Sequence, residues 1–362
     1  MLDFDTLRVL PKIDLHRHLE GSLRPETLWE FHCREKQSVH ASFEALKAVY
    51  MISHGTAPGF QNYLSRFSAI RFRFGEIETL ERIAAEAVDD AAADGIIHLE
   101  LRFSPVGFAR RINTQLTTDD RFRTEDPITN VEQAATAIVR GARREAAKHG
   151  MSLAFIVTLG RHFGVHVNRP AGELLTSSIG TELSALDLAG EESYSMLEFL
   201  DIFNAWKKAG RGITIHAGED PHGAGAQNVR QALDQCKASR IGHGVRAVED
   251  PALLTRLAKE EVALEVCLTS NIQTHTCASY ETHPIGKLLL AGVRVTLNTD
   301  NPVLNGITLS REYANAIEHC GLDGQQLKHC VLNAARSAYL SDAEKTILIQ
   351  RIELGWKQID LR

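Results

Sequence analysis

Beyond residue 90 the chain repeats one unit, a short apolar, β-branched run that ends in Gly, His, Asp or Ser and is followed by a longer segment of helical period. The runs are Ile96–Phe103, Leu153–Leu159, Glu182–Leu188, Ile213–His216, Arg240–His243, Val262–Cys267 and Arg294–Asn298, and Lys12–His18 precedes them. Stretches between them, such as 131–150, 195–210, 227–236, 250–261 and 283–292, carry apolar residues at helical spacing, and several end in the Gly expected just past a helix C-terminus. Runs that are apolar almost throughout, rather than at alternate positions, belong in a sheet buried on both faces. Strands of that kind alternating with helices make a parallel sheet covered by those helices. Eight of them predict an α/β fold closed into a (β/α)8 TIM barrel.

The exception to the repeat is the interval between the first run and the second, which reads as helical and predicts an insertion after the first strand. Within it Leu64, Phe67, Ile70 and Phe74 form a stripe at helical spacing. A stripe of this kind fits a helix packed on the core, and the alternative is a helical cap over the barrel mouth. Residues 105–127 read as a long, polar, mobile loop. Helical segments after Pro302 complete the outer ring and add a C-terminal extension. No linker or composition shift divides the chain, so the expectation is one barrel domain over residues 1–362 with a helical cap at about 25–90.

Composition narrows the function classes. The 362 residues are 44% apolar and 24% charged with no biased tract, which excludes disordered, collagen-like and coiled-coil chains. A net charge of −6 offers no electrostatic footprint for nucleic acid or an anionic membrane surface, which leaves a small molecule as the expected partner. The first residues lack the features of a secretory signal and no apolar run is long enough to span a bilayer, so a cytoplasmic location is expected. Six cysteines without a CxxC pair or regular spacing fit reduced, individually placed thiols. Oligomeric state is not legible.

Sixteen histidines are many for this length, and a few stand at meaningful positions. His16 and His18 lie two apart in an extended run, so both side chains, and that of Glu20 after them, point to one side. His216 ends another strand, with Glu219 three residues on, and Asp300 follows the last strand. A barrel of this type gathers its active site from the C-terminal ends of its strands, where residues distant in sequence meet. Three imidazoles and a carboxylate suit Zn²⁺, and a site with one position left for water is catalytic. Such a metal lowers the pKa of water to about 7. His243, between glycines in RIGHG, is a further strand-end polar group with space for a ligand beside it.

The segments PKIDLHRHLEGSLRPETL, DLAGEE, TIHAGED, RIGHGVR, LTSN and NTDNP, in this order from residue 11 to about residue 310, resemble the motif set of the adenosine deaminase family within the zinc amidohydrolase barrels. The resemblance implies one zinc ion per chain held by His16, His18, His216 and Asp300. It implies Glu219 as the proton donor to purine N1, with His243 and Asp300 orienting the attacking water and taking up its proton. It also implies His18, Glu20, Gly190 and Asn301 as substrate contacts, the Gly190 backbone at purine N3. Two positions depart from the usual family pattern. Asn301 stands where many members have a second Asp that donates to purine N7, a role an amide NH₂ fills at any pH. Glu20 stands where typical members have an Asp at the ribose 5′-hydroxyl.

The implied reaction is hydrolytic deamination of a 6-aminopurine nucleoside, adenosine or 2′-deoxyadenosine. Adenine and 6-aminodeoxyfutalosine are alternatives at the open 5′ end. Another amidohydrolase reaction is disfavoured because the fourth-strand run ELSALDLAG lacks the bridging Lys of binuclear members. A non-catalytic purine-binding barrel would need a missing ligand, and none is missing. The HxE and PCxxC pattern of cytidine-type zinc deaminases is absent.

Overall fold

The structure is a computed structural model that describes residues 2–34, 40–53, 55–70, 77–113 and 131–357. Its centre is a sheet of eight strands: β1 (Lys12–His18), β2 (Ile96–Phe103), β3 (Ser152–Gly160), β4 (Leu183–Ala189), β5 (Gly212–Ala217), β6 (Arg240–His243), β7 (Ala263–Val266) and β8 (Arg294–Leu297). They lie in chain order, each parallel to the next. Beyond the end of β8 the chain runs alongside β1, where His18 N–H donates to the Asp300 carbonyl at 2.7 Å and Asp300 N–H to the His16 carbonyl at 2.8 Å. These bonds join the last strand to the first, completing the (β/α)8 barrel that the repeat predicts.

The strands form where β-branched and aliphatic residues are dense, and residues such as Ile13, Leu15, Leu99, Leu186, Ile215 and Val295 are completely buried. Each such side chain contributes about 1.5–3 kcal/mol on leaving water. The surrounding helices carry the expected stop and start signals. Asp323 with Gln326, and Ser341 with Glu344, make reciprocal capping boxes that open the helices Gly324–Ser337 and Asp342–Trp356. Trp356 in the latter donates through Nε1 to the Pro11 carbonyl, tying the C-terminal extension to the base of β1. The helix Val131–His149 packs against Glu78–Ala93 so closely that a Cβ at Gly141 would lie 2.2 Å from the Glu81 carbonyl oxygen. All six thiols are free, and among the described residues no helix is long and apolar enough to cross a membrane.

Two local expectations are revised. The stripe Leu64–Phe67–Ile70 does not lie on one α-helix: helix Phe60–Ser65 passes into a tighter 3₁₀ turn, Arg66–Ile70, and Phe74 lies outside the described residues. Residues 105–113 are a helix rather than the start of a polar loop. Pro105 supplies the fixed φ that suits the first helical position, and Val106, Phe108 and Ala109 are buried. The remainder of that expected loop, residues 114–127, lies outside the described residues.

Candidate metal centre and active site

The C-terminal strand ends converge as the barrel geometry requires. His16 and His18 come from β1, His216 from β5 and Asp300 from the segment after β8, and one ligand atom from each lies within 4.8 Å of the others. His18 Nε2 and His216 Nε2 face each other at 3.2 Å, and Asp300 Oδ1 is 3.4 Å from His18 Nε2 and 3.6 Å from His16 Nε2. His16 Nε2 is buried without a hydrogen-bond partner. Donor atoms turned toward one point, with a buried ring nitrogen left unpaired, are what a cation site requires. Asp300 reaches this point because the chain after β8 pairs with β1, and it does so with a left-handed backbone, φ 59°. His243, at the end of β6, shares that conformation with φ 57°. Each left-handed non-glycine residue costs on the order of 1–3 kcal/mol, a strain tolerated where function demands a side-chain direction.

Behind the donors lies a fully buried network that orients them. His16 Nδ1 is 2.7 Å from Glu265 on β7, and His216 Nδ1 is 3.0 Å from Asp187 on β4. With the outward nitrogen committed to a carboxylate, the inward nitrogen of each ring is left as the ligand atom. Glu265 also accepts from Arg102 at 2.7 Å, Arg240 at 2.6 Å and Thr214 at 3.1 Å. Burial alone pushes its carboxyl up, but the two guanidiniums hold it well below the usual carboxylate range. Burial pushes His18, His216 and His243 down, favouring the neutral, metal-binding imidazole. His16, beside the Asp300 and Glu265 carboxylates, is raised in spite of its burial, so this corner attracts positive charge.

Glu219 and His243 stand together beside the donors, His243 Nε2 being 3.5 Å from Glu219 Oε1. His243 Nδ1 lies 3.1 Å from Asn271 Nδ2. Burial first, then the Asp300, Glu192 and Asp220 carboxylates, push the Glu219 carboxyl well above its usual value, which favours its protonated form. Its backbone is fixed by Glu192, which accepts from the N–H groups of Gly218 at 3.0 Å, Glu219 at 2.7 Å and Asp220 at 2.9 Å.

These groups open into a cavity of about 330 Å³ whose lining includes His18, Glu20, Gly190, His216, Glu219, His243, Asp300 and Asn301. His16 is fully buried behind them. The structure therefore brings together every site residue expected from the sequence. Phe60, Leu64, Phe67 and Ile70 form an apolar part of the wall, so the stripe faces the cavity. Gly190 has φ 103°, which favours glycine. Glu20 Oε1 accepts from Ser104 N–H at 2.7 Å. Asn301 differs from expectation in one respect: its Nδ2 already donates to Tyr63 OH at 2.8 Å and to Asp300 Oδ1 at 2.7 Å, so the amide hydrogens expected for purine N7 are engaged within the protein.

Sequence reasoning missed Asp187, Glu265, Arg102, Glu192 and Tyr63. The first three carried a signal, a charge inside an otherwise apolar strand, which is expensive unless paired. Glu192 and Tyr63 carried none that local periodicity reveals.

A family profile described as adenosine deaminase matches residues 11–354. The chain belongs to the adenosine deaminase family. It is 35% identical over 349 residues to the adenosine deaminase of Klebsiella pneumoniae (strain 342), covering 96% of this chain and 98% of that one. It is 38% identical over 345 residues to the adenosine deaminase of Aliivibrio fischeri (strain ATCC 700601 / ES114), covering 94% and 97%. Among solved structures, an amidohydrolase from Burkholderia ambifaria with bound Zn shares the fold with a TM-score of 0.83 at 24% identity, over 98% of this chain and 93% of that one. The N6-methyl-AMP deaminase of Arabidopsis thaliana shares it with a TM-score of 0.80 at 23% identity, over 99% and 100%. The adenosine deaminase family is zinc-dependent, and three imidazoles with one carboxylate, two of the rings held by buried carboxylates, fit that metal.

Proposed function

We propose that this chain is a zinc-dependent adenosine deaminase, converting adenosine or 2′-deoxyadenosine and water to the corresponding inosine nucleoside and ammonia. The observation that carries this reading is the meeting of the His16, His18, His216 and Asp300 donors at the wall of one cavity that buried Glu219 and His243 also line. Its near full-length relatives are adenosine deaminases. His16, His18, His216 and Asp300 would hold the zinc. When bound, zinc supplies Lewis acidity that lowers the pKa of water to about 7.

The chain's own groups supply the rest. Attack at C6 breaks the aromaticity of the purine and is favourable only if N1 gains a proton, which Glu219 delivers. His243 and Asp300 orient the water and accept its proton, and His243 faces the negative charge that develops on the attacking oxygen near the metal position. A proton returned to the exocyclic nitrogen lets ammonia leave. Gly190 lets the purine approach the backbone, and the apolar wall of Phe60, Leu64, Phe67 and Ile70 excludes bulk water. On this reading the helical residues at about 25–90 cap a single barrel domain. The Glu20 carboxyl at the cavity wall favours a 5′-hydroxyl over a phosphate, and hence a nucleoside over a nucleotide.

The test is ammonia release from adenosine, 2′-deoxyadenosine, adenine, AMP and 6-aminodeoxyfutalosine. Adenosine and 2′-deoxyadenosine should turn over fastest. Glu219→Gln should keep its zinc and lose about 10²–10⁴-fold in kcat. If none of the five substrates releases ammonia from zinc-loaded protein, the reading is wrong.

A further inference from the structure

Tyr63 belongs to helix Phe60–Ser65, in the insertion after β1, yet its phenol reaches the barrel centre. The residue is 4% exposed. Its OH lies 3.1 Å from Asp300 Oδ2 and 2.9 Å from Asn305 Oδ1, and it accepts from Asn301 Nδ2 at 2.8 Å. The two oxygens of Asp300 are thereby divided. Oδ1 faces the His16 and His18 ring nitrogens and accepts from Asn301 Nδ2 at 2.7 Å, while Oδ2 faces the phenol. We propose that Tyr63 is a positioning residue that fixes the rotation of the Asp300 carboxylate, so that the metal site is complete only while this helix of the insertion is seated on the barrel.

The chemistry follows from the inventory of a phenol, which has one hydrogen to donate and lone pairs to accept with. Asn301 occupies a lone pair and so turns the hydroxyl hydrogen away from itself, toward Asp300 and Asn305. A carboxylate that ligates through one oxygen is free to rotate unless its other oxygen is held, and partners of this kind are worth about 10–100-fold in metal affinity or activity. The bond also links two parts of the chain that the barrel repeat does not connect. Phe60, Leu64 and Phe67 from the same segment line the substrate cavity, so a displacement of that segment would withdraw both the apolar wall and the Asp300 anchor. The shared hydrogen makes a prediction of opposite sign at Asn305. Removing that competing acceptor leaves Asp300 as the phenol's acceptor and strengthens its hold.

Tyr63 acts in this way only if Asp300 holds zinc, as proposed, and the experiment separates the two. Zinc-loaded wild type, Asp300→Ala, Tyr63→Phe and Asn305→Leu are mixed with a chromogenic chelator, and the rate of zinc transfer is followed beside kcat and KM for adenosine. The expected result is loss of zinc from Asp300→Ala, transfer about 10–100-fold faster in Tyr63→Phe with kcat falling more than KM rises, and transfer slower than wild type in Asn305→Leu. Zinc retained by Asp300→Ala overturns the reading of the site and the role of Tyr63 with it. Wild-type transfer in Tyr63→Phe, or Asn305→Leu loosening zinc as Tyr63→Phe does, overturns the role of Tyr63 alone. Should Tyr63→Phe fail to fold, Asn305→Leu still decides: zinc held more firmly than in wild type supports the role, and wild-type or weaker retention refutes it.

Discussion

Replacing Glu265 with Gln tests whether the network behind the metal site is one device for stability and for metal binding. Glu265 receives His16 Nδ1, Arg102 Nη2, Arg240 Nε and Thr214 Oγ1, and it is completely buried. Gln has nearly the same shape but no charge, and its NH₂ must face donors wherever the second carboxylate oxygen accepted. Charge-assisted bonds contribute about 1.5–3 kcal/mol each. Neither arginine is left without a carboxylate, since Arg102 keeps Asp187 at 3.4 Å and Arg240 keeps Glu100. The loss therefore falls at the lower end of the range for breaking a buried pair, about 3–4 kcal/mol. With an unfolding entropy of about 2.1 cal/mol/K per residue, that lowers Tm by about 4–5 °C in a chain of 362 residues. Zinc should transfer to a chelator about 10–100-fold faster, because the His16 ring has lost its charged orienting partner. Glu182→Gln breaks a pair with Arg143 in which the side chains are 42% and 51% exposed, and serves as the control. That variant should move Tm by less than about 1 °C. Calorimetry with and without zinc, together with the transfer assay, gives both quantities. A Glu265→Gln protein within 1 °C of wild type that holds zinc as firmly refutes the coupling of network and site.

Three further outcomes follow from local geometry. Gly242 pairs in register with His216, and a Cβ there would stand 3.1 Å from His16 Cε1 and 3.2 Å from the His216 Cα. Gly242→Ala should weaken zinc binding about tenfold while costing at most about 1–3 kcal/mol of stability, measured by metal competition and denaturant unfolding. Glu192→Gln disturbs the acceptor of the Gly218, Glu219 and Asp220 N–H groups, so kcat for adenosine should fall about tenfold with zinc content unchanged. An unaltered kcat would remove Glu192 from the positioning of Glu219. Burial raises the Glu312 carboxyl to about 7, against 4.5 for an ordinary Glu. The folded state then holds a proton the unfolded state has released, so stability falls as pH rises from 4.5 to 7, by about 3 kcal/mol in all. Glu312→Gln removes this dependence, and its Tm should gain on wild type between pH 5 and pH 8. A Tm difference that stays constant with pH contradicts the assignment.

The barrel was legible because its signal is local. A strand buried on both faces must be apolar at nearly every position and a covering helix must be apolar at every third or fourth, so the alternation from Ile96 to Leu297 announces itself without knowledge of contacts. The pair His16 and His18 was legible for a similar reason, since residues two apart in a strand share a face. The break of the stripe at Ser65 and the helix beginning at Pro105 were not, because each depends on what packs against the segment rather than on its own period.

The partners of the donors were hidden for a deeper reason. Glu265 lies 249 residues from His16, Asp187 lies 29 from His216 and Tyr63 lies 237 from Asp300, and no periodicity spans such separations. The charged residues in β2, β4, β6 and β7 were visible as anomalies, but which carboxylate meets which ring depends on strand register and on the closure of β8 against β1. The chain's sequence thus determined the kinds of element, their order and the donor types available at the strand ends. Closure of the barrel decided which of those groups face one another, because it sets distances between residues that the chain itself leaves far apart.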